Sequence, residues 1–112
     1  MADDINDIEN TTWVIITPED TCAWELKEAP IEGKPSFDDV SMYVGGLVEK
    51  IPDNWLMEGL HTMYVNEEGK LEKLPRNILA SRLLDEPVPI VGNAVIQWDN
   101  KYNDEEAWRV KV

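Results

Sequence analysis

The apolar segments of this chain are short, and this feature limits the possible folds more than any other. WVII at 13–16 and AVI at 94–96 are among the longest uninterrupted runs, whereas a helix that spans a bilayer needs about 20 apolar residues. Runs of this length with β-branched and aromatic side chains are typical of strands. We therefore expect a domain built around a sheet, with no membrane span.

Strand-like and helix-like patterns alternate along the chain in a definite order. Strands are predicted at 12–17, 21–28, 47–51, 61–66 and 107–112, with a further strand entered through a turn within 89–98, and helices are predicted at 36–46 and 74–87. Two helices are too few for strict strand–helix–strand alternation, and 112 residues suit one domain. The predicted fold is a single small α+β domain, in which two short helices pack on a mixed or antiparallel sheet of five to six strands.

The first predicted helix has recognisable start and stop signals. Ser36 suits the N-cap, and Asp39 follows at the spacing of an acidic capping box. Gly45 stands where a C-cap glycine is expected, so the glycine pair 45–46 closes a helix. A phosphate-binding loop would instead open one. The expected apolar face consists of Phe37, Val40 and Val44.

The second predicted helix and the turn before it have weaker signals. Pro75 suits a first helical turn, and Ile78, Leu79 and Leu83 form the expected apolar face. In the preceding turn NEEGK, Gly69 is predicted to supply a positive φ.

Net charge is the strongest compositional signal, at −13. Of the 23 acids, 14 lie in the first 61 positions, together with only three of the ten bases. Such a chain repels nucleic acid and anionic membranes, so a charged partner is expected to be basic. The alternative is that the charge serves solubility alone.

The first ten residues, MADDINDIEN, carry four acids and no apolar periodicity. We expect residues 1–10 to be an acidic mobile tail and 11–112 to be the domain. The tail lacks the basic and apolar regions of a signal peptide, which favours a cytoplasmic setting.

The sequence contains few residues that could form a catalytic or metal-binding site. His61 and Cys22 are the only histidine and cysteine, too few for a four-ligand zinc site. Cys22 is expected on a core face, where a free thiol is usually inert. The adjacent acids at 38–39 and 67–68 are interpreted as solvated charge, and no acidic stretch has the order of a calcium loop. We expect no cofactor and no enzymatic activity.

Tryptophan is frequent, with five residues in the chain. Trp55 lies beside Leu56 and Met57 in a loop without apolar periodicity. An exposed tryptophan beside two apolar residues resembles a binding hot spot. The alternative is a loop anchor that folds onto the sheet. The predicted core tryptophans are Trp13, Trp24 and Trp98.

Four phrases in a fixed order resemble a known family. They are the glycine pair 45–46 before a strand, the YVNEEGK turn at 64–70, the Asn77-x-x-Ala80 helix start and VGN at 91–93. Over residues 40–97 the chain resembles the family catalogued as domain of unknown function 3846. The resemblance implies a protein of bacteriophages, plasmids or other mobile elements that acts in the bacterial cytoplasm. It implies no activity.

Two functional hypotheses follow from these observations. The first is a small, acidic, non-enzymatic phage or mobile-element protein that binds a host protein, basic or nucleic-acid-binding, in host takeover or anti-defence. The second is a small-ligand binder that sequesters a nucleotide or similar metabolite through Arg76 and Arg82. The oligomeric state stays open. The candidate interaction residues are Trp55, Met57, Asp38, Asp39, Glu67, Glu68, Arg76 and Asn77.

Overall fold

The computed structural model describes residues 10–102 and 105–112. The predicted tail at 1–10 lies outside them except for Asn10. The strands are β1 (Thr11–Ile16), β2 (Val48–Lys50), β3 (Leu60–Asn66) and β4 (Ala94–Asp99). The α-helices are α1 (Phe37–Val44) and α2 (Ile78–Arg82), and 3₁₀ turns occupy Trp24–Glu28, Asp53–Trp55, Asn100–Tyr102 and Glu105–Trp108.

The four strands form one antiparallel sheet in the order β1-β4-β3-β2. The predicted α+β class and the two helices are confirmed, whereas the predicted five to six strands are not. β4 lies between β1 and β3, and β2 lies at one end. A register shift between Leu60 and Thr62 interrupts the pairing of β3 with β4.

The sheet is covered on both faces, which explains the continuous apolar runs of β1 and β4. Helix α1 covers one face, where Val40 and Val44 pack with Trp13 and Val95. Full burial of such a side chain contributes about 1.5–3 kcal/mol. Helix α2 and the loops cover the other face in the larger core cluster. The sheet residues of that cluster are Val14, Ile16, Leu60, Met63, Val65, Ala94, Ile96 and Trp98.

The predicted ends of α1 are confirmed. The Ser36 hydroxyl accepts from the Asp39 N–H at 3.1 Å, and the Asp39 carboxylate accepts from the Ser36 N–H at 3.2 Å. Gly45 ends the helix with φ of 80°. The prediction for Phe37 is wrong, because its side chain is 70% exposed. It occupies the first turn, ahead of the two residues that reach the sheet.

We expect Ser36→Ala to lower the free energy of unfolding by about 1 kcal/mol, because the Asp39 N–H loses its cap. Urea denaturation measures the change. Ser36→Asp is the matched control, since it retains a capping oxygen and keeps most of the stability. Equal stability of Ser36→Ala and the original chain would contradict a stabilising role for this capping box.

The predicted strand at 21–28 is wrong. Cys22 makes only an isolated bridge to Lys111, and Trp24–Glu28 is a 3₁₀ turn. A strand with Cys22 on its core face would turn Ala23 outward, but Ala23 is fully buried. The Lys27 amine lies 4.6 Å from the centroid of the Trp98 ring. The segment therefore covers the sheet and is not one of its strands.

The predicted final strand at 107–112 is also wrong. Glu105–Trp108 is a 3₁₀ turn, and strand-like pairing is limited to the bridge at Lys111. Trp108 is fully buried, and the centroid of its ring lies 3.4 Å from that of Trp98. One large side chain fixes this segment, so its periodicity of two does not reflect a pleated strand.

Helix α2 is shorter than the helix predicted at 74–87. It begins after the cap at Asn77, so Pro75 precedes the helix. Leu79 and Leu83 are buried as predicted, but Ile78 is half exposed. Gly69 does not have a positive φ. The 69 position instead approaches Val91 closely, because a Cβ there would lie 2.8 Å from Val91 Cγ2.

Candidate functional site

Trp55 ends the 3₁₀ turn Asp53–Trp55, and backbone hydrogen bonds to 83–85 fix the chain at and after it. Its carbonyl accepts from the Asp85 N–H at 2.9 Å, and the Met57 N–H donates to the Leu83 carbonyl at 3.1 Å. Leu56 between them forms a bridge with Leu84 and is buried. Leu56 therefore anchors this segment in the core, whereas the indole of Trp55 before it is 43% exposed.

Two grooves meet at Trp55 and share Val88. The first groove encloses about 390 Å³, and its lining residues are Asn54, Trp55, Asp85, Glu86 and Val88. The other groove encloses about 350 Å³. It lies on the face of the sheet that carries the larger core cluster, and its lining is Glu49, Ile51, Trp55, Val65, Asn66, Glu67, Lys70, Leu71, Val88, Pro89, Ile90 and Val91. We call the two together the Trp55 groove.

The Trp55 groove combines an apolar floor with an acidic rim. Ile51, Val65 and Ile90 are buried in the larger core cluster and form the floor. Leu71 lies on the rim with its side chain 81% exposed. The rim carboxylates are Glu49, Glu67, Asp85 and Glu86, and Lys70 is the one base among the described lining residues. Carboxylates beside an exposed indole suit a cation with an apolar stem.

Comparison with known proteins gives one family and no individual relative. The family described as Domain of unknown function (DUF3846) matches residues 12–107. The chain belongs to this family. The match is wider than the segment 40–97 that carries the resemblance. Neither the curated proteins nor the solved structures contain a significant match.

The predicted interaction residues of this DUF3846 domain do not lie together. Trp55 and Glu67 line the same groove. Asp38 and Asp39 begin α1, on the opposite face of the sheet, and Asp39 is engaged in the capping box. Met57 is half-buried against the larger core cluster.

The remaining predicted residues belong to the loops beyond β3. The Glu68 N–H donates to the Asn66 side-chain oxygen at 2.8 Å, and its carboxylate side chain is exposed. Arg76 forms an isolated bridge with Val91 and is exposed. Neither residue is among the described residues that line the groove, although Glu67 before Glu68 and Val91 opposite Arg76 do line it.

Asn77 is fully buried, and its amide holds three parts of the DUF3846 fold together. Its Nδ2 donates to the carbonyls of Ile16 and Gly92, both at 2.9 Å. Its Oδ1 accepts from the Ala80 N–H at 3.1 Å. The side chain therefore joins the end of β1, the start of α2 and the loop that leads into β4.

Sequence reasoning missed most of the groove. Glu49, Asp85 and Glu86 were not singled out, and neither were the apolar rim residues Leu71 and Val88. Tertiary folding alone brings these separate segments together. The one local signal was an aromatic residue without a periodic context at 55.

Other titratable groups of the DUF3846 domain lie away from the groove. His61 Nε2 lies 3.1 Å from the Asp99 carboxylate at the end of β4. Glu58 accepts from the Tyr102 hydroxyl, and this hydrogen bond raises the pKa of Tyr102. Within 10–102 and 105–112, no group of three or more His, Cys, Asp or Glu residues could hold a metal ion. No helix of those residues is long and apolar enough to cross a membrane.

Proposed function

We propose that this chain is a non-enzymatic binding protein of a phage or mobile element, and that its Trp55 groove holds a basic segment of a host protein. The observation that carries the proposal is the exposed indole of Trp55 among four rim carboxylates. An isolated exposed apolar residue needs no explanation, but an exposed aromatic ring above an apolar floor is typical of an interaction site.

The chemistry of the groove favours arginine or lysine on the partner. An arginine can stack its guanidinium on the Trp55 ring and direct its N–H groups to Asp85 or Glu86. Its aliphatic stem, or a neighbouring apolar residue, would cover Val88. The net charge of −13 adds attraction at long range and speeds the encounter with a basic surface.

The same chemistry offers little to a nucleotide. Phosphate groups require cations or free backbone N–H groups. Arg76 and Arg82 are not among the described residues that line the groove, and carboxylates dominate its rim. Mimicry of DNA is also a weaker interpretation than acidic-surface binding, because the four carboxylates surround an apolar floor and do not form a regular row.

We expect Trp55→Ala to raise the dissociation constant for the host partner about tenfold, mainly through faster dissociation. The partner is captured from host lysate by the immobilised domain, identified, purified and measured by surface plasmon resonance. Phe37→Ala is the matched control, because Phe37 is another exposed aromatic residue on the opposite side of the sheet. It should leave both rates unchanged.

The double variant Asp85→Asn, Glu86→Gln tests the electrostatic part. We expect slower association and a smaller effect of added salt, because rim charges steer the encounter. Capture that depends on Phe37 but not on Trp55 would place the interface on the α1 side. Capture that is insensitive to salt would remove the role of the acidic rim.

A further inference from the structure

Strand β2 has an open edge beside the Trp55 groove. Within residues 10–102 and 105–112 it is the last strand of the sheet, and its one neighbour there is β3. Glu49 and Lys50 are exposed, and Glu49 lines the groove together with Ile51. An unpaired edge presents backbone N–H and C=O groups that another chain can complete.

The hydrogen bonds to β3 show which backbone groups of β2 point outward. The Leu47 carbonyl accepts from the Glu67 N–H at 2.8 Å, and the Ile51 N–H donates to the Met63 carbonyl at 2.9 Å. In an antiparallel strand, bonding to one neighbour alternates with bonding to the other. The backbone groups of Val48 and Lys50 therefore point away from β3, toward the open side.

We propose that the partner segment binds as a fifth, antiparallel strand along β2 and places alternate side chains beside the Trp55 groove. This inference rests on the proposed function and defines its binding mode. Addition of a strand gives affinity through main-chain hydrogen bonds and specificity through pockets for alternate side chains. Val48 and Lys50 supply the main-chain groups, and the groove supplies the pockets.

The register of the added strand defines a sequence pattern for the partner. Its residue opposite Glu49 occupies a pair without mutual hydrogen bonds, where facing side chains are closest. A lysine or arginine there meets the Glu49 carboxylate. The residues two positions away on either side face Ile51 and Leu47. Because Leu47 is 59% exposed and Ile51 borders Trp55, both of these partner residues are apolar. The pattern is apolar-x-basic-x-apolar.

A second copy of this chain is a poor occupant of the same edge. Antiparallel pairing of β2 with itself about Glu49 places two Glu49 carboxylates opposite each other, and like charges in that position are destabilising. Each copy also carries a net charge of −13. The edge therefore selects a segment of opposite charge.

The test uses the whole chain and the synthetic peptide acetyl-Gly-Leu-Ser-Arg-Ser-Leu-Gly-amide, with binding measured by isothermal titration calorimetry. Lys50→Pro removes an outward N–H, and proline is tolerated where an edge N–H faces solvent. Lys50→Ala is the matched control, because it removes the same side chain and keeps the N–H. We expect the peptide to bind Lys50→Pro about tenfold more weakly than Lys50→Ala, from loss of a hydrogen bond and the added ring.

Two modified peptides provide a measurement that does not depend on folding of a variant. N-methylation of the serines that flank arginine blocks the donors aimed at β2, whereas N-methylation of the arginine blocks a donor aimed at solvent. We expect the first change to weaken binding about tenfold and the second to change it less than about twofold.

Each result separates the binding mode from the proposed function. Equal affinities of the two Lys50 variants and of the two methylated peptides overturn strand addition; if Trp55→Ala still weakens binding, the groove proposal stands. Dependence on the edge without dependence on Trp55 supports strand addition and overturns the groove proposal. Absence of any binding by the wild-type chain overturns strand addition by this pattern. A dimer that forms without peptide, and that Lys50→Pro dissociates in analytical ultracentrifugation, would also overturn the proposal. The edge of β2 would then bind a second copy of the chain.

Discussion

Replacement of Asn77 by alanine is expected to lower the free energy of unfolding by about 3–4 kcal/mol. The substitution removes three buried hydrogen bonds, two from Nδ2 and one to Oδ1. It leaves the Ile16 and Gly92 carbonyls and the Ala80 N–H without those partners, and each buried unpaired group costs about 1–3 kcal/mol. Urea denaturation, followed by tryptophan fluorescence, measures the loss.

Two further variants identify the cause of that loss. Arg76→Ala alters the exposed neighbouring residue and should change stability by less than about 0.5 kcal/mol. Asn77→Asp keeps an acceptor for the Ala80 N–H but loses both donors, so it should also be strongly destabilised. A loss below about 1 kcal/mol for Asn77→Ala would show that water replaces the amide at this site.

The location of Asn77 also explains why it matters for the groove without lining it. Its amide donates to the carbonyl of Gly92, and the preceding residue, Val91, lines the Trp55 groove. The Asn77 N–H donates in addition to the carbonyl of Ile90, on the groove floor, at 2.7 Å. The sequence pattern suggested Asn77 as an interaction residue, but its hydrogen bonds show a positioning role for the loop that forms one wall.

The parts of the fold that were predicted from the sequence have local causes. Helix α1 was predicted at its start and end, because the Ser36–Asp39 cap and the Gly45 C-cap depend on a few neighbouring residues. β1, β3 and β4 were predicted from runs of β-branched and aromatic residues, which require a pleated and buried surface. The match to DUF3846 over 12–107 agrees with the resemblance in the central motifs.

The two wrong strand predictions have a common physical cause. At 21–28 and 107–112 the sequence alternates as a strand does, but large side chains decide the outcome. Lys27 lies against the Trp98 ring, and Trp108 packs on the same tryptophan. Packing around one tryptophan therefore accompanies the 3₁₀ turns Trp24–Glu28 and Glu105–Trp108, while Cys22 and Lys111 join the two segments by an isolated bridge. No local pattern indicates that arrangement.

Some residues of the candidate site were likewise predicted from local sequence, and the others are brought together only by the fold. Trp55 was found because its local sequence lacks apolar periodicity, and Glu67 because of its charged turn. The pairing of Trp55 with Asp85 joins segments 30 residues apart, so the carboxylates at 85 and 86 reach the indole only in the folded chain. The open edge of β2 depends on strand order, which the sequence does not encode locally.

Replacement of Gly59 by alanine is expected to lower the free energy of unfolding by about 3 kcal/mol, from backbone strain and overpacking together. Gly59 has φ of 100°, which side chains rarely adopt. A Cβ there would lie 2.7 Å from Trp108 Cζ2 and 3.1 Å from Tyr102 Cγ. The Gly59 carbonyl accepts from the Asp99 N–H at 2.8 Å, so the backbone cannot move aside without loss of that bond.

Gly33→Ala is the matched control for this variant. Gly33 has φ of 71°, but a Cβ at this position would have nothing within 4 Å of it. Its substitution should cost only the backbone strain, about 1 kcal/mol. Urea denaturation gives both values, and the summed tryptophan emission should shift in Gly59→Ala alone, because the methyl group displaces Trp108. Equal losses would show that Trp108 yields to the methyl group without cost. Overpacking would then contribute nothing to the loss, and the close approach of Trp108 to Gly59 would not restrict the segment 105–108.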